Sequence, residues 1–376
     1  MFQNMALWLR ILLSFAVAFI VSYLMTPPVK TFAEHVGAID VPKDARRIHD
    51  HPVPRMGGLA IFMGFVLAVI VFVDFNIQVM GMLLGALIIA GMGAVDDIIG
   101  LRPWIKLAMQ VLAALVAIRC GIIFTAISNP NFFSYDTTIP IGFLSLPLTL
   151  IWIVGCTNAV NLVDGLDGLA VGVSAISAFT MLVVSIFVAE PNMTFILAAL
   201  CGACVGFMPY NMNPAKIFMG DVGSQFLGFI LATVSIMGLF KLHTIITFIV
   251  PVLAMFIPLA DTAFAFCRRI LHGQSPFHAD KGHFHHRLLA MGLNQKQAVA
   301  VLYGVSAVLG LVGVLLSGQN VLLRIICVVA AFAIAVAVWL YVFWKNPRLK
   351  HPHPDADDGC DCAKAENAAD AKNDDK

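Results

Sequence analysis

The stretch "GLAVGVSAISAFTMLVVSIFVA", residues 168–189, decides the fold class of this chain. It contains no charged side chain, and a membrane-spanning α-helix needs about 20 consecutive apolar residues. The whole chain is 60% hydrophobic and 12% charged, with a mean hydropathy of +0.90. A soluble domain has roughly 25% charged residues. The composition therefore predicts a membrane protein that crosses the bilayer several times.

Similar apolar windows occur along most of the chain. We predict an all-α, polytopic integral membrane protein with about eleven transmembrane helices. The windows lie near residues 5–25, 57–73, 79–95, 104–119, 146–163, 168–189, 193–209, 222–239, 244–266, 298–316 and 321–344. Residues 1–344 form the predicted transmembrane domain. Residues 345–376 have few bulky apolar side chains and are predicted to be a disordered polar tail.

The distribution of lysine and arginine predicts the orientation in the membrane. Basic residues concentrate after the odd-numbered windows, as at Arg55, Arg102, Lys106 and Arg287, and in the tail. The positive-inside rule places these loops and the C-terminus in the cytoplasm and the N-terminus outside. The net charge of +1 argues against a nucleic-acid partner.

Polar residues stand directly before the opening stretch, in "GCTNAVNLVDGLDGLAVG", residues 155–172. Asn158, Asn161, Asp164 and Asp167 recur at every third position. Residues three apart lie on one broad helix face, so the first three should share a face that points into the bundle. Asp167 should lie on the turn that follows.

Three further polar motifs fall on the same predicted side. These are "AVDDIIG" with Asp96 and Asp97, "FMGDVGSQFLG" with Asp221, and "HADKGHFHHRL" in the ninth loop, which contains Arg287. The predicted orientation depends on the basic residues alone, so the convergence of these motifs on one side is an independent observation. We therefore predict one active site at the cytoplasmic face.

The residue types indicate phosphate chemistry with a divalent cation. Clustered aspartates are typical of magnesium sites, where one or two carboxylates act together with phosphate oxygens. Histidines and arginine can donate to a diphosphate. Glycines around Asp221 should expose N–H groups at the start of a helix to an anion. A magnesium-dependent enzyme is favoured over a secondary transporter, whose site usually lies near the membrane midplane.

Six stretches resemble the bacterial polyprenyl-phosphate N-acetylhexosamine-1-phosphate transferases. They run from Thr26 to about Leu293 and comprise "TPPVKTFAEHVGAIDVPKDARRIHDHPVPRMGGLAIF", "DDIIGL", "NAVNLVDGLDGLA", "NPAKIFMGDVGSQFLG", "PLADTAFAFCRR" and "SPFHADKGHFHHRLLAMGL". The eleven-helix count agrees with the architecture of that family. "HFHHRL" is similar to its WecA/TagO-like branch, which uses UDP-N-acetylglucosamine.

The resemblance implies transfer of N-acetylglucosamine 1-phosphate from UDP-N-acetylglucosamine to undecaprenyl phosphate, releasing UMP. This would be the first membrane step of a cell-envelope polysaccharide or teichoic acid pathway, in the plasma (inner) membrane. Another UDP-N-acetyl sugar, including the MurNAc-pentapeptide substrate, stays an alternative, as does manganese in place of magnesium. A homodimer is one alternative for the oligomeric state.

The resemblance also implies roles for individual residues. Asp221 resembles the metal ligand, and Asp96 and Asp97 would face the lipid phosphate, with Asp97 as a base. Asn161 and Asp164 would lie between nucleotide and metal, and Lys106 would screen the two anions. Direct displacement and a covalent aspartyl route both stay open. The remaining implied substrate-binding residues are Asn158, Gly165, Leu166, Asp167, Phe218, His283, His285, His286 and Arg287.

Overall fold

The protein is described by a computed structural model that covers residues 6–40, 52–128, 138–188, 190–239, 245–271, 283–317 and 321–345. Thirteen α-helices occur in these ranges. They are α1 (Leu7–His35), α2 (Gly58–Phe72), α3 (Ile77–Ile99), α4 (Pro103–Arg119), α5 (Ser145–Val163), α6 (Leu169–Val188), α7 (Pro191–Asn211), α8 (Gly220–Val234), α9 (Ile245–Ala254), α10 (Phe256–Leu271), α11 (Phe284–Ala290), α12 (Gln295–Ser317) and α13 (Val321–Lys345).

Two short antiparallel hairpins accompany the helices in the described part of the chain. β1 (Ile39–Asp40) pairs with β2 (Val53–Pro54), and β3 (Ala126–Ser128) pairs with β4 (Thr138–Pro140). Within the described ranges, seven helical segments are long and apolar enough to cross a membrane. Large apolar side chains such as Ile151 and Phe179 are exposed on the outside of the bundle, where lipid would cover them. The fold is therefore all-α and polytopic, as predicted.

The ninth predicted window, residues 244–266, is divided between two helices. α9 ends at Ala254 and α10 begins at Phe256. Proline lacks a backbone N–H, and Pro258 stands in the first turn of α10, where that N–H would have no helical partner. A continuous apolar window therefore contains a helix break that hydropathy alone did not reveal. The predicted tail from residue 346 onward lies outside the described residues.

α8 lies at the centre of the bundle, and every residue from Val222 to Val234 is buried. It packs against α2, α3 and α5. Small residues permit this close approach. A Cβ at Gly58 of α2 would collide with the backbone of Gly223, and a Cβ at Gly228 would lie 2.6 Å from the carbonyl oxygen of Cys156 in α5.

The arrangement gives the bundle two chemically different ends. At one end, the last turns of α3 and α5 meet the first turns of α4 and α8, as the contacts among their polar side chains show. At the other end, buried Arg10 of α1 donates to the Phe72 carbonyl at 2.7 Å and pairs with Asp74 at 3.0 Å. Its guanidinium also lies 4.3 Å from the centroid of the Phe195 ring of α7. The acidic motifs gather at the first end.

Candidate active site

Asp96 and Asp97 stand in the last turn of α3. The helix ends because Gly100 adopts a φ of +68°, a left-handed conformation that suits glycine. Both carboxyl groups are buried. Asp96 Oδ1 accepts from the Leu101 N–H at 2.6 Å. The end of α3 thus directs two carboxylates inward.

Asp97 binds the beginning of α8. Its Oδ1 accepts from the Asp221 N–H at 3.0 Å and its Oδ2 from the Val222 N–H at 3.2 Å. A carboxylate at a helix N-terminus is favourable because the helix dipole is positive there. The prediction that the N–H groups around Asp221 await a ligand anion was wrong for these two, because Asp97 already satisfies them. Gly220 is required beside it, since a Cβ there would collide with the Asp97 carboxylate.

Lys106 joins Asp96 to Asp221. It lies in the first turn of α4, which begins at Pro103. Its Nζ is 2.5 Å from Asp96 Oδ2 and 2.7 Å from Asp221 Oδ2. Two carboxylates from helices far apart in the sequence therefore converge on one cation. Arg102, one turn earlier, is exposed.

The amides of α5 face the same centre. Asn161 Nδ2 donates to Asp221 Oδ1 at 2.9 Å and to Ser224 Oγ at 2.8 Å. Asn158 exchanges two hydrogen bonds with Gln110, at 2.7 and 3.2 Å. We call the group formed by Asp96, Lys106 and Asp221 the acid centre. Asn161 contacts the acid centre, whereas Asn158 lies one helical turn deeper and contacts Gln110.

Sequence reasoning missed three residues of this network. Gln110 and Gln225 are almost fully buried, and Gln110 Nε2 donates to Gln225 Oε1 at 2.8 Å. Gln225 Nε2 in turn lies 3.4 Å from Asp221 Oδ2, while Ser224 accepts from Asn161. Helical spacing could have identified the two glutamines. Gln110 follows Lys106 by four residues and Gln225 follows Asp221 by four, so each pair lies on one helix face.

The turn between α5 and α6 carries Asp164, Gly165, Leu166 and Asp167. Asp167 Oδ2 accepts from Asn213 Nδ2 at 3.0 Å and from the Ala215 N–H at 3.1 Å. Leu166 is buried, whereas Gly165 is exposed. Asp167 thereby ties this turn to the segment that leads into α8.

Asp164 ends α5 in surroundings that disfavour a negative charge. Burial, and after it the neighbouring Asp221 and Asp97 carboxylates, together raise the pKa of its carboxyl group to about 8. A strongly shifted acid in a cluster is typical of functional sites.

Phe218 is held through its backbone beside the start of α2. Its N–H donates to the Pro54 carbonyl at 2.8 Å, and its carbonyl accepts from the Gly57 N–H at 2.9 Å. A Cβ at Gly57 would lie 2.8 Å from that carbonyl oxygen. Gly57 and Gly58 are therefore explained by the close packing of α2 against Phe218 and the start of α8.

The histidine motif forms a cluster of rings at α11. The His283 and His285 rings are nearly parallel with centroids 5.8 Å apart, and those of His285 and His286 are 4.3 Å apart. Burial, and after it the adjacent His286, together lower the pKa of His285 to about 4. A Cβ at Gly165 would lie 2.5 Å from His285 Nε2. The cluster therefore abuts the turn that follows α5.

Asp261, for which the sequence suggested no role, is a partner of this cluster. Its buried carboxylate lies 2.8 Å from His283 Nδ1 and accepts from the Phe284 N–H at 2.8 Å. Arg287 is exposed on α11, and Lys281 lies outside the described residues.

The site presents hard oxygen ligands rather than a complete protein cage for a metal. Within the described ranges, no three Asp, Glu, His or Cys side chains are grouped so that they could hold a metal ion by themselves. Asp221, Asp96 and the Asn161 amide oxygen supply the donor types that magnesium prefers. Magnesium usually binds one or two carboxylates and takes its other ligands from water and phosphate. The residues present fit that pattern.

The chain is similar in sequence to known proteins over most of its length. Residues 79–239 match the model of glycosyl transferase family 4. The chain is 36% identical over 321 residues to the probable undecaprenyl-phosphate N-acetylglucosaminyl 1-phosphate transferase of Bacillus subtilis (strain 168), covering 84% of this chain and 88% of that relative.

Two further groups of relatives cover most of the chain. The decaprenyl-phosphate N-acetylglucosaminephosphotransferase of Mycobacterium tuberculosis (strain ATCC 25618 / H37Rv) is 35% identical over 76% of this chain and 77% of its own. The phospho-N-acetylmuramoyl-pentapeptide-transferase of Staphylococcus aureus (strain MSSA476) is 35% identical over 69% of this chain and 84% of its own. The chain therefore belongs to the polyprenyl-phosphate N-acetylhexosamine-1-phosphate transferases of glycosyl transferase family 4.

Proposed function

We propose that this protein transfers N-acetylglucosamine 1-phosphate from UDP-N-acetylglucosamine to undecaprenyl phosphate. A phosphate oxygen of the lipid attacks the β-phosphorus of the nucleotide sugar and forms a new P–O bond. The bond from that phosphorus to the bridging oxygen breaks, and its electron pair leaves with UMP. The products are UMP and undecaprenyl-diphosphate-N-acetylglucosamine.

The observation that supports this proposal best is the convergence of Asp96, Lys106 and Asp221, with Asn161 donating to Asp221. In-line phosphoryl transfer requires little covalent help from the protein, and catalysis comes mainly from positioning and charge stabilisation. An ammonium group and two carboxylates from three helices provide both. The two similar N-acetylglucosamine-phosphate transferases, which are named for undecaprenyl phosphate and decaprenyl phosphate, agree with this substrate class.

We propose that Asp221 holds magnesium, with Asp96 and the Asn161 amide oxygen as further ligands. Bound magnesium would neutralise charge on the phosphates, and manganese is the alternative ion. Lys106 would then direct its ammonium group to the phosphate oxygens. Asp97 acts by holding α8 in place, because both its oxygens accept from backbone N–H groups. A base is not required, since a phosphate monoester with a second pKa near 6 is mostly dianionic at pH 7.

We propose that the turn Gly165–Asp167 and Phe218 bind the uridine, with the phenyl ring stacking on the base. Asp164 lies between this turn and the acid centre. Asn158, one turn deeper, is linked to Asp221 through Gln110 and Gln225. His283, His285, His286 and Arg287 hold the sugar phosphate, and Arg287 is the candidate reader of the N-acetyl group.

The membrane arrangement extends the same proposal. The apolar windows predict about eleven crossings, and the positive-inside rule places the N-terminus outside and the C-terminus in the cytoplasm. In this arrangement the acid centre lies at the cytoplasmic face of the plasma (inner) membrane, where a nucleotide sugar is supplied. Residues 1–344 form the transferase domain and residues 345–376 a polar cytoplasmic tail.

UMP release by the purified protein tests the function. The reaction contains UDP-N-acetylglucosamine, undecaprenyl phosphate and magnesium, and separate controls omit the lipid, add a chelator or use Asp221→Asn. We expect release only in the complete wild-type reaction. No release from folded protein with any UDP-N-acetyl sugar would contradict the proposal and turn attention to uptake assays in proteoliposomes.

A different sugar is the second candidate, since MurNAc-pentapeptide transferases are also 32–35% identical to this chain. The same assay with UDP-N-acetylgalactosamine and UDP-MurNAc-pentapeptide separates these donors. We expect the highest kcat/KM with UDP-N-acetylglucosamine. In "HFHHRL" Phe284 separates the histidines and Arg287 follows them, and this motif is similar to the WecA/TagO-like branch, which uses that donor.

A further inference from the structure

Asp261 is a buried acid to which the proposed reaction gives no direct task. It lies within α10 and is 3% exposed. A buried carboxylate is costly unless it is paired and hydrogen-bonded. Here Oδ2 lies 2.8 Å from His283 Nδ1 and Oδ1 accepts from the Phe284 N–H at 2.8 Å. Both oxygens are therefore directed at the first residues of α11.

These two contacts fix different parts of the histidine motif. The bond to the Phe284 N–H caps α11, whose first N–H groups have no helical partner. The bond to His283 Nδ1 fixes the rotation of the imidazole and leaves Nε2 as the nitrogen for a ligand. A carboxylate on one ring nitrogen sets the tautomer and orientation of a histidine that works through the other.

The constraint extends to the turn that carries Asp164. The His283 ring lies parallel to that of His285, at 5.8 Å and 4°. His285 in turn fills the space beside Gly165, where a Cβ would be 2.5 Å from its Nε2. Asp261 therefore anchors a chain of contacts that ends at Gly165.

We propose that Asp261 is a positioning residue of the transferase site, which orients His283 and the first turn of α11 toward the sugar-phosphate of the substrate. This inference rests on the proposed function. Asp261 touches no reacting atom and acts through His283. The carboxyl group also favours the proton on Nδ1, so that Nε2 keeps a defined hydrogen-bonding role.

Asp261→Asn tests the proposal with little change in shape. The amide oxygen can still accept from the Phe284 N–H, but the amide nitrogen must donate to His283 Nδ1 and forces the ring proton onto Nε2. We expect kcat/KM for UMP release to fall about 10- to 100-fold, as when the carboxylate partners of other functional histidines are removed. The melting temperature should change by less than about 3 °C, the shift that ~1 kcal/mol produces.

A double-mutant cycle separates positioning from a general structural role. In His283→Asn the side-chain amide can still donate to Asp261, but the variant lacks Nε2. If Asp261 acts through His283, the double variant should lose no more kcat/KM than His283→Asn alone. Multiplying losses would overturn the proposal, and so would a full kcat/KM in Asp261→Asn.

Nitrogen NMR of ¹⁵N-histidine protein gives a readout that does not depend on turnover. The His283 signals are identified by their absence in His283→Asn. We expect the proton on Nδ1 in the wild type and on Nε2 in Asp261→Asn, and the same tautomer in both would contradict the proposal. If the wild type releases no UMP with any donor, the proposed function fails while this measurement still tests the pairing.

Asp74→Asn is the matched control. It removes a carboxylate that pairs with Arg10 at 3.0 Å, at the opposite end of the bundle. We expect its kcat/KM and the His283 tautomer to equal those of the wild type. A fall as large as that of Asp261→Asn would show that loss of any such pair lowers activity, and would overturn the specific role of Asp261.

Discussion

Asp164 keeps a carboxyl group where its charge is unfavourable. Its pKa is raised to about 8 by burial first and by the Asp221 and Asp97 carboxylates next. An acid whose folded pKa exceeds its unfolded value binds more protons when folded, so stability falls as the pH rises from about 4 toward 8. A group retained at this cost is better explained by function than by stability.

We predict that Asp164→Asn loses turnover and keeps its stability. The amide removes a charge that burial disfavours, so the melting temperature at pH 8 should equal or exceed that of the wild type. UMP release should fall at least about 100-fold, the scale at which removal of one electrostatic group acts in other enzymes. Both quantities are measured on the same detergent-purified sample.

Asp167→Ala provides the contrast on the same turn. It leaves Asn213 and the Ala215 N–H without their acceptor, a loss of about 1–3 kcal/mol if they stay buried. Its melting temperature should fall. An Asp164→Asn protein that retains most activity, or unfolds as readily as Asp167→Ala, would contradict the assignment of Asp164.

His285 predicts a pH dependence of stability with the opposite sign. Its pKa is lowered to about 4, first by burial and then by His286, whereas an unfolded histidine titrates near 6.5. The unfolded chain therefore binds the extra proton between about pH 4 and 6.5. The contribution of His285 is complete above pH 6.5 and is lost as the pH falls toward 4.

We expect His285→Gln to flatten the melting-temperature profile in that window, because glutamine does not titrate. Thermal unfolding is followed in buffers from pH 4.5 to 8. Profiles of wild type and variant that stay parallel below pH 6.5 would show that His285 is not held in its neutral form.

At the scale of elements, the site depends on the contact between α3 and α8. Gly93 of α3 faces α8, and a Cβ there would lie 2.5 Å from Val222 Cα. Gly91, two residues earlier on the same helix, is exposed, and a Cβ there would meet nothing within 4 Å. The two glycines therefore form a matched pair.

We predict that Gly93→Ala lowers both stability and activity, whereas Gly91→Ala does neither. The alanine at position 93 must push α8 away and shift Asp221, whose N–H bonds to Asp97 at 3.0 Å. The alanine at position 91 should stabilise by up to about 1 kcal/mol, the propensity difference from glycine in a helix. The melting temperature and the rate of UMP release are measured for both variants. Equal values for the two variants would refute the close packing of Gly93 against α8.

At the scale of the whole molecule, the two ends of the bundle should lie on opposite sides of the membrane. Phe75, between α2 and α3, is exposed near the Arg10–Asp74 end. Arg102, between α3 and α4, is exposed near the acid centre. The positive-inside rule places Arg102 in the cytoplasm and Phe75 outside.

We therefore expect Phe75→Cys, in a variant whose eight cysteines are replaced, to react with a membrane-impermeant maleimide in intact spheroplasts. Arg102→Cys should react only after permeabilisation. The cysteine-free protein is the control for background labelling. The reverse pattern would move the acid centre to the outer face and would contradict the use of a cytoplasmic nucleotide sugar.

The sequence by itself determined the membrane fold, the position of most helices and the motifs of the family. Apolar length and the alternation of apolar windows with basic loops are local properties, so they can be counted without knowing which helix touches which. It also indicated that polar residues stand at helix ends on one side. The break between α9 and α10 escaped because a buried helix end leaves hydropathy unchanged.

Only the tertiary structure decided which polar groups meet. Asp97 bonds to residues 124 and 125 positions away, and Gln110 bonds to Gln225 across 115 positions. The bond of Asp261 to His283 spans 22 residues and two helices. These pairings depend on the rotation and depth of each helix in the bundle, which composition and spacing do not specify. Hydrogen bonds need partners within about 3 Å, so packing, not sequence distance, selected the partners that build this site.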